Sequence, residues 1–298
     1  MSAVEAAPRA SVRPPGVGRF GPAWMLVPAL VLLIGFFALP YITIITMSLR
    51  EASTRAVYGD GFTVAHYATA LGDPYIWGIL GKTLLIGAIV TVLTLLLGYP
   101  VAYHLARSRS RWTSLLYIFV LSPLLVGLVV RTFAWMIILS NNGVANKTLM
   151  TLGVIGFPLQ LMNNSLGVTI ALTHVFLPFI ILPLLGNLQA ISPDLAMASR
   201  SLGASRMRTF LKVTLPLSLP GIQAGTILVL VLSMSAYVTP AMLGGRGGRT
   251  MSVLVVQYLV DNFRWPAGAA LAIIMAGGGV FFVGRFFKLT ARARRGPP

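Results

Sequence analysis

Apolar residues in this chain come in six long, nearly unbroken runs. They show neither the alternation of a half-buried strand nor the narrow stripe of a surface helix. The runs are Trp24–Met47, Thr83–Ala106, a stretch from Trp112 to the region of Trp135, Leu166–Leu188, Gly221–Leu243 and Ala267–Phe287. A helix needs about 20 apolar residues to cross a hydrocarbon core about 30 Å thick, so each run predicts a transmembrane helix. The first run is too long for a cleaved secretory core and no A-x-A-like site follows it. Pro28 and Pro40 kink it or mark its ends, and Gly98 with Pro100 interrupts the second run.

The polar intervals divide the chain further. Residues 1–20 read as a basic arm, and residues 21–78 as the first span with a mixed-charge loop outside the membrane over 48–79. Residues 79–287 form the transmembrane core and residues 288–298 a basic tail. Asn141-Asn142-Gly143 is a turn, followed by a moderately apolar connector to Ser165. Gly244–Gly248 reads as a flexible turn, and Met251, Leu254, Val255 and Leu259 have the spacing of a helix near the surface.

The longest polar interval in the second half is Ser192–Gly221. Ser192 suits a helix cap, Pro193 the first helical position and Asp194 the positive end of the dipole. Leu195, Ala198 and Leu202 then share a face, and Gly203 is a natural stop. Ser205 caps a second short helix with Met207, Phe210 and Leu211 on one side, which Pro216 and Pro220 end. A bland connector does not need two amphipathic helices joined by a glycine; a docking element for another protein does.

Composition sharpens this picture. The chain is 56% hydrophobic and 10% charged, with mean hydropathy +0.84. It has no cysteine, which excludes disulfides and thiol chemistry. The net charge of +17 could point to nucleic acid. Its placement does not, because the basic residues are spread over separate loops. An even number of spans puts both termini on one side. With Arg131 set aside, that side carries fifteen basic residues and the other seven. The positive side is cytoplasmic, so both termini and Ser192–Gly221 are expected in the cytoplasm, and the charge meets anionic membrane lipids.

Candidate chemistry is sparse. The acidic residues Glu5, Glu51, Asp60, Asp73, Asp194 and Asp261 all lie outside the apolar runs. Gly81-Lys82-Thr83 looks like the tail of a phosphate loop, but Ile76 replaces its first glycine and no strand precedes it. His174 is alone within a span, with no second metal ligand near it. Arg131 is nineteen residues beyond Trp112. That is about 28 Å of helix, which places it at the far interface, as an anchor or at a pore mouth. Gly268, Ala272 and Ala276 form a small-residue face suited to close helix packing.

The loop at Ser192–Gly221 resembles that of ATP-binding-cassette importer permeases of the binding-protein-dependent (type I) kind, whose pattern is EAA, three residues, Gly, nine residues, then I-x-LP. Met197-Ala198-Ser199 stand at EAA, Gly203 at the glycine, and Val213, Leu215 and Pro216 at I-x-LP. Met197 departs from the usual Glu, which in the family can contact a basic group on the ATPase. Arg131-Thr132-Phe133-Ala134-Trp135 with Asn142-Gly143, and Tyr237-Val238-Thr239-Pro240 with Met242-Leu243-Gly244-Gly245, resemble the polyamine-type subfamily.

The resemblance implies an all-α membrane protein of six transmembrane helices with a cytoplasmic helix–break–helix coupling loop. It implies a multi-pass subunit of the bacterial inner membrane that forms half of a path for spermidine, putrescine or a related solute. ATPase subunits would dock on Asp194, Met197, Ala198, Ser199, Leu202, Gly203, Ala204, Ser205 and Pro216. The partner ATPase would use ATP and Mg, and this chain would bind no cofactor. A second permease, similar but not identical, and a periplasmic or lipid-anchored binding protein would complete the importer. Arg131, Trp135, Tyr237, Thr239 and Pro240 are candidates for the path or outer gate. An ion-coupled secondary transporter is the main alternative. The lack of carboxylates in the spans weighs against it, and the lack of a clustered acid, base and nucleophile weighs against a membrane enzyme.

Overall fold

The computed structural model describes residues 26–53, 56–108 and 110–294, with side chains as far as residue 288. The basic arm at 1–20, Trp24, Arg55, Arg109 and Arg295 lie outside the described residues. Thirteen α-helices are described: α1 (Val27–Ser48), α2 (Ala65–Gly72), α3 (Pro74–Arg107), α4 (Trp112–Leu125), α5 (Leu128–Leu139), α6 (Val144–Thr151), α7 (Ser165–Ala190), α8 (Pro193–Ser201), α9 (Arg206–Thr209), α10 (Leu215–Ser235), α11 (Val238–Leu243), α12 (Met251–Val256) and α13 (Trp265–Arg294). Six segments are long and apolar enough to span a membrane: Val27–Ser48, Pro74–Arg107, Leu128–Thr151, Ser165–Ala190, Arg206–Ser235 and Trp265–Lys288. Residues 1–46 and 47–298 form separate units, and most of α1 is the described part of the first.

In the second unit α7 is the centre, with α3 and α10 packed along it. Ile180, Leu184 and Leu188 of α7 are fully buried. The neighbours come close because they present glycine. A Cβ on Gly98 of α3 would lie 2.7 Å from the Ile180 Cγ2, and one on Gly225 of α10 would lie 3.2 Å from the Ile180 Cα. Buried hydroxyls do not break this apolar core. Thr91, Thr173 and Ser233 each donate to the carbonyl four residues earlier in their own helix.

Several boundaries differ from those the sequence predicts. α3 starts at Pro74, with the Asp73 carboxylate capping Tyr75 N at 2.8 Å, and runs through Gly98 and Pro100 without interruption. The loop before it has contacts of its own: Arg50 and Phe62 form an antiparallel bridge, and the Arg50 guanidinium lies 4.2 Å from the Phe62 ring centre. The third apolar run is not one span. It breaks at Val126 and Gly127, whose backbones are extended (ψ 132° and 142°), just past Pro123. The fifth run breaks at Ala236–Tyr237 into α10 and the short α11.

Residues 251–261 form the expected helix, exposed at its far end but buried along the face that carries the apolar residues. Met251, Leu254 and Val255 of α12 are buried against Ile79 and Leu80 of α3 and Leu271 of α13. The glycine-rich segment is not a loose turn either. Asn163 N donates to Leu243 O at 2.8 Å, and the Lys82 ammonium and Ser165 hydroxyl both donate to Gly247 O. A Cβ on Gly247 would meet Asn163 O at 3.1 Å, and one on Gly248 would lie 2.7 Å from Asn164 O, so at Gly248 the backbones pass too closely for a side chain. Gly81-Lys82-Thr83 sits inside α3, where Thr83 Oγ1 donates to Ile79 O and accepts from Met251 N at 2.8 Å. It joins two helices, in a setting no phosphate loop has.

Candidate functional site

The segment after α7 folds as two short helices about a glycine. The Ser192 hydroxyl accepts from Asp194 N at 3.2 Å and donates to the Asp194 carboxylate at 3.0 Å, and Pro193 opens α8. At the other end Gly203 has φ +86°. Gly203 N donates to Arg200 O at 3.0 Å and Ala204 N to Ser199 O at 3.2 Å. This paired pattern satisfies the last carbonyls of the helix and turns the chain sharply. The Ser205 hydroxyl then accepts from Arg208 N at 3.3 Å and caps α9. The Ser199 and Thr209 hydroxyls meet at 3.1 Å across the break and tie the two arms together.

The second arm does not end at Pro216 or Pro220. Phe210–Thr214 forms a π turn in which Leu215 N bonds back to Phe210 O, and α10 continues from there through both prolines. Pro216 has no N–H for a bond to Lys212, and its ring would press on that carbonyl in a regular helix. The wider turn removes both problems and inserts one residue into the helix. The second arm and the fifth span are thus one continuous rod.

Residues that the loop pattern does not reveal anchor it. The Arg107 guanidinium, at the end of α3, donates to Ile191 O at 3.0 Å, just before Ser192. Tyr99 and Tyr103, one turn apart on α3, meet the Phe210 ring edge-on at 5.6 and 6.0 Å. Tyr99 also hydrogen-bonds Ser218 on α10 at 3.0 Å. The i, i+4 tyrosine pair is visible in the sequence, but nothing there says what it touches.

The outer face of the loop is uncovered. No residue of α8 is buried, and Met197, Leu202 and Met207 are 58%, 90% and 67% exposed. Beside the break lies a groove of ≈ 640 Å³ lined by Met197, Arg200, Ser201, Gly203, Ala204, Ser205 and Arg206. Apolar side chains beside a cationic rim suit a protein surface of mixed character. Asp194, Met197, Ala198, Ser199, Leu202, Gly203, Ala204 and Ser205 therefore fall on one compact element, and Pro216 on the rod behind it.

The other candidates divide. On α5 the Trp135 indole N–H donates to His174 Nδ1 of α7 at 3.3 Å, with the rings 5.4 Å apart. Next to Arg131, the Thr132 hydroxyl donates to Leu128 O at 2.9 Å and lies 3.3 Å from the Thr239 hydroxyl. Thr239 and Pro240 are buried, while Tyr237 is 41% exposed.

Arg131 is not at the far interface. Pro123 of α4 lines a mostly apolar cavity with His174, and Trp135 of α5 bonds the same histidine. The residues between them gain little depth, because the chain turns at Val126–Gly127. His174 lies nine residues into α7. At ~1.5 Å per residue that is about 14 Å from the helix start, and Arg131, one turn back along α5, is close to the middle of a ~30 Å core. Its Nε and Nη1 are buried without a hydrogen-bond partner.

Comparison with known proteins agrees with the loop. Residues 94–295 match the family of binding-protein-dependent transport system inner membrane components. The chain is 34% identical over 253 residues to the spermidine/putrescine transport system permease protein PotB of Escherichia coli (strain K12), covering 84% of this chain and 91% of that protein. The corresponding PotB of Salmonella typhimurium (strain SL1344) is 34% identical over 245 residues, covering 82% and 84%. Among solved structures, a bacterial ABC transporter involved in the import of the acidic polysaccharide alginate contains a chain of the same fold. It has TM-score 0.68 at 18% identity and covers 91% of this chain and 94% of that one.

Proposed function

We propose, from the premise that this chain belongs to the family of binding-protein-dependent transport system inner membrane components, that it is the permease of an ATP-driven polyamine importer. Membership makes it a multi-pass inner-membrane subunit of an ABC importer that works with a binding protein, and not an enzyme. The solute reading, spermidine or putrescine, follows the PotB relatives.

The observation that carries the coupling role is the capped, glycine-hinged loop. It presents an exposed apolar face and continues through a π turn into a span. In our reading an ATPase subunit seats in the groove beside Gly203. When two such ATPases close on ATP, they push the loop. Because α9, the π turn and α10 are one rod, Tyr99 and Tyr103 lock that rod to α3, and Arg107 ties α3 to the start of the loop, the push reaches the core as a rigid-body tilt. A second, non-identical permease forms the other half of the path. ATP and Mg bind the partner ATPases, and both termini lie in the cytoplasm.

Two measurements test this. The assembled importer in proteoliposomes, with its binding protein, is expected to take up labelled spermidine only when ATP is on the ATPase side. Uptake without ATP overturns the mechanism, and ATP-driven transport of other solutes only overturns the polyamine assignment. The chain has no cysteine, so single Cys variants report topology cleanly. M207C is expected to react with a membrane-impermeant thiol reagent from the cytoplasmic side and V57C from the outside. The reverse pattern puts the loop where no ATPase can reach it.

A further inference from the structure

We propose that Arg131, reinforced by the start of α5, is a fixed positive barrier in the translocation path that keeps inorganic cations from leaking inward through the importer. The inference rests on the permease reading and is independent of the solute.

The first ground is what Arg131 does not do. A guanidinium retained for architecture uses its donors, and buried donors are normally bonded. Here Nε and Nη1 are buried and make no hydrogen bond. With two of its three nitrogens buried and idle, the group acts here chiefly through its field. Among the described residues no carboxylate lies in a membrane-spanning segment to offset that field. An uncompensated charge near mid-membrane is costly and marks function.

The second ground is where α5 begins. The break at Val126–Gly127 starts a 12-residue helix three residues before Arg131, so its positive end adds to the guanidinium in the same place. Half-helix ends and arginines inside a pore raise the barrier to cations. The arrangement is also held still. Thr132 ties the first turn of α5 to Thr239 of α11, and Trp135 ties the next turn to His174 of α7.

An importer needs such a device because the membrane potential drives cations inward whenever the path is wet. Two unit charges about 10 Å apart, at an effective dielectric of about 20, repel enough to lower cation occupancy roughly tenfold. A polyamine crosses when the ATP-driven rearrangement carries α5, still tied to α7 and α11, away from the second permease.

The test uses the complete importer in proteoliposomes, at rest without ATP, at an interior-negative potential. Potassium and chloride fluxes are read separately. Wild type is expected to pass chloride more readily than potassium. R131Q is expected to raise potassium entry roughly tenfold, while R131K stays near wild type. Equal potassium entry in R131Q and wild type, with the ATPases still co-purifying, overturns the proposal. If R131Q does not assemble, the wild-type ratio decides alone, and potassium passing as freely as chloride overturns it. Spermidine uptake measured in the same wild-type vesicles separates a failed solute assignment from a failed barrier.

Discussion

At the scale of single residues, glycine does two different jobs here. At Gly203 the backbone is left-handed, φ +86°, and a Cβ would meet nothing within 4 Å. The cost of a side chain there is conformational only, about 1–2 kcal/mol for an L-residue, and largest when it is β-branched. G203V is expected to reach the membrane in normal amounts and lose most ATP-driven uptake, whereas G203N keeps much of it because Asn tolerates that conformation. Equal uptake by G203V and wild type at equal abundance would count against the hinge. Gly98 is the opposite case: its backbone is an ordinary helix, and Ile180 is what excludes a side chain. The first requirement is readable from a helix pattern that stops at a glycine. The second depends on a helix more than eighty residues away.

At the scale of elements, the π turn matters most. It exists because Pro216 cannot donate, and it adds one residue to the rod that joins the loop to α10. P216A restores the missing N–H. The segment is then free to close as a regular helix, which turns the docking arm by about 100° and draws it in by about 1.5 Å. The expected outcome is normal assembly of the chain in the membrane but poor coupling. ATP hydrolysis would continue and uptake per ATP would fall, read from both rates in proteoliposomes. Unchanged coupling would mean that the turn only accommodates proline. The prolines suggest a helix end when read along the chain. Only the observed hydrogen bond from Leu215 to Phe210 shows that the helix continues instead.

At the scale of the whole molecule, the second unit is organised around one helix. About two thirds (67%) of the most apolar window of α7 is buried, against 33% for α3 and 33% for the Arg206–Ser235 rod. Substitutions should follow that gradient. L184A removes a fully buried side chain and is expected to cost about 2–5 kcal/mol, while L85A, at a position 60% exposed, costs little. Thermal unfolding of the purified importer in detergent reads the difference. A comparable loss from both would show that α7 is not the structural axis.

The sequence by itself determined the class of the protein. Apolar run lengths set the helical, membrane-spanning architecture, since backbone groups in lipid must bond within their own segment. Cap residues and one glycine set the helix–break–helix loop, since those signals act within a few residues of each other. Tertiary structure decided everything that depends on distant partners: the clamp of Gly247 against Asn163, the burial of α12, and the anchoring of Phe210 by Tyr99 and Tyr103. It also decided the depth of Arg131. Counting residues from Trp112 measures depth only along a straight helix, and the chain bends at Val126–Gly127, so only the contacts of Pro123 and Trp135 with the surroundings of His174 place the charge near the middle of the membrane.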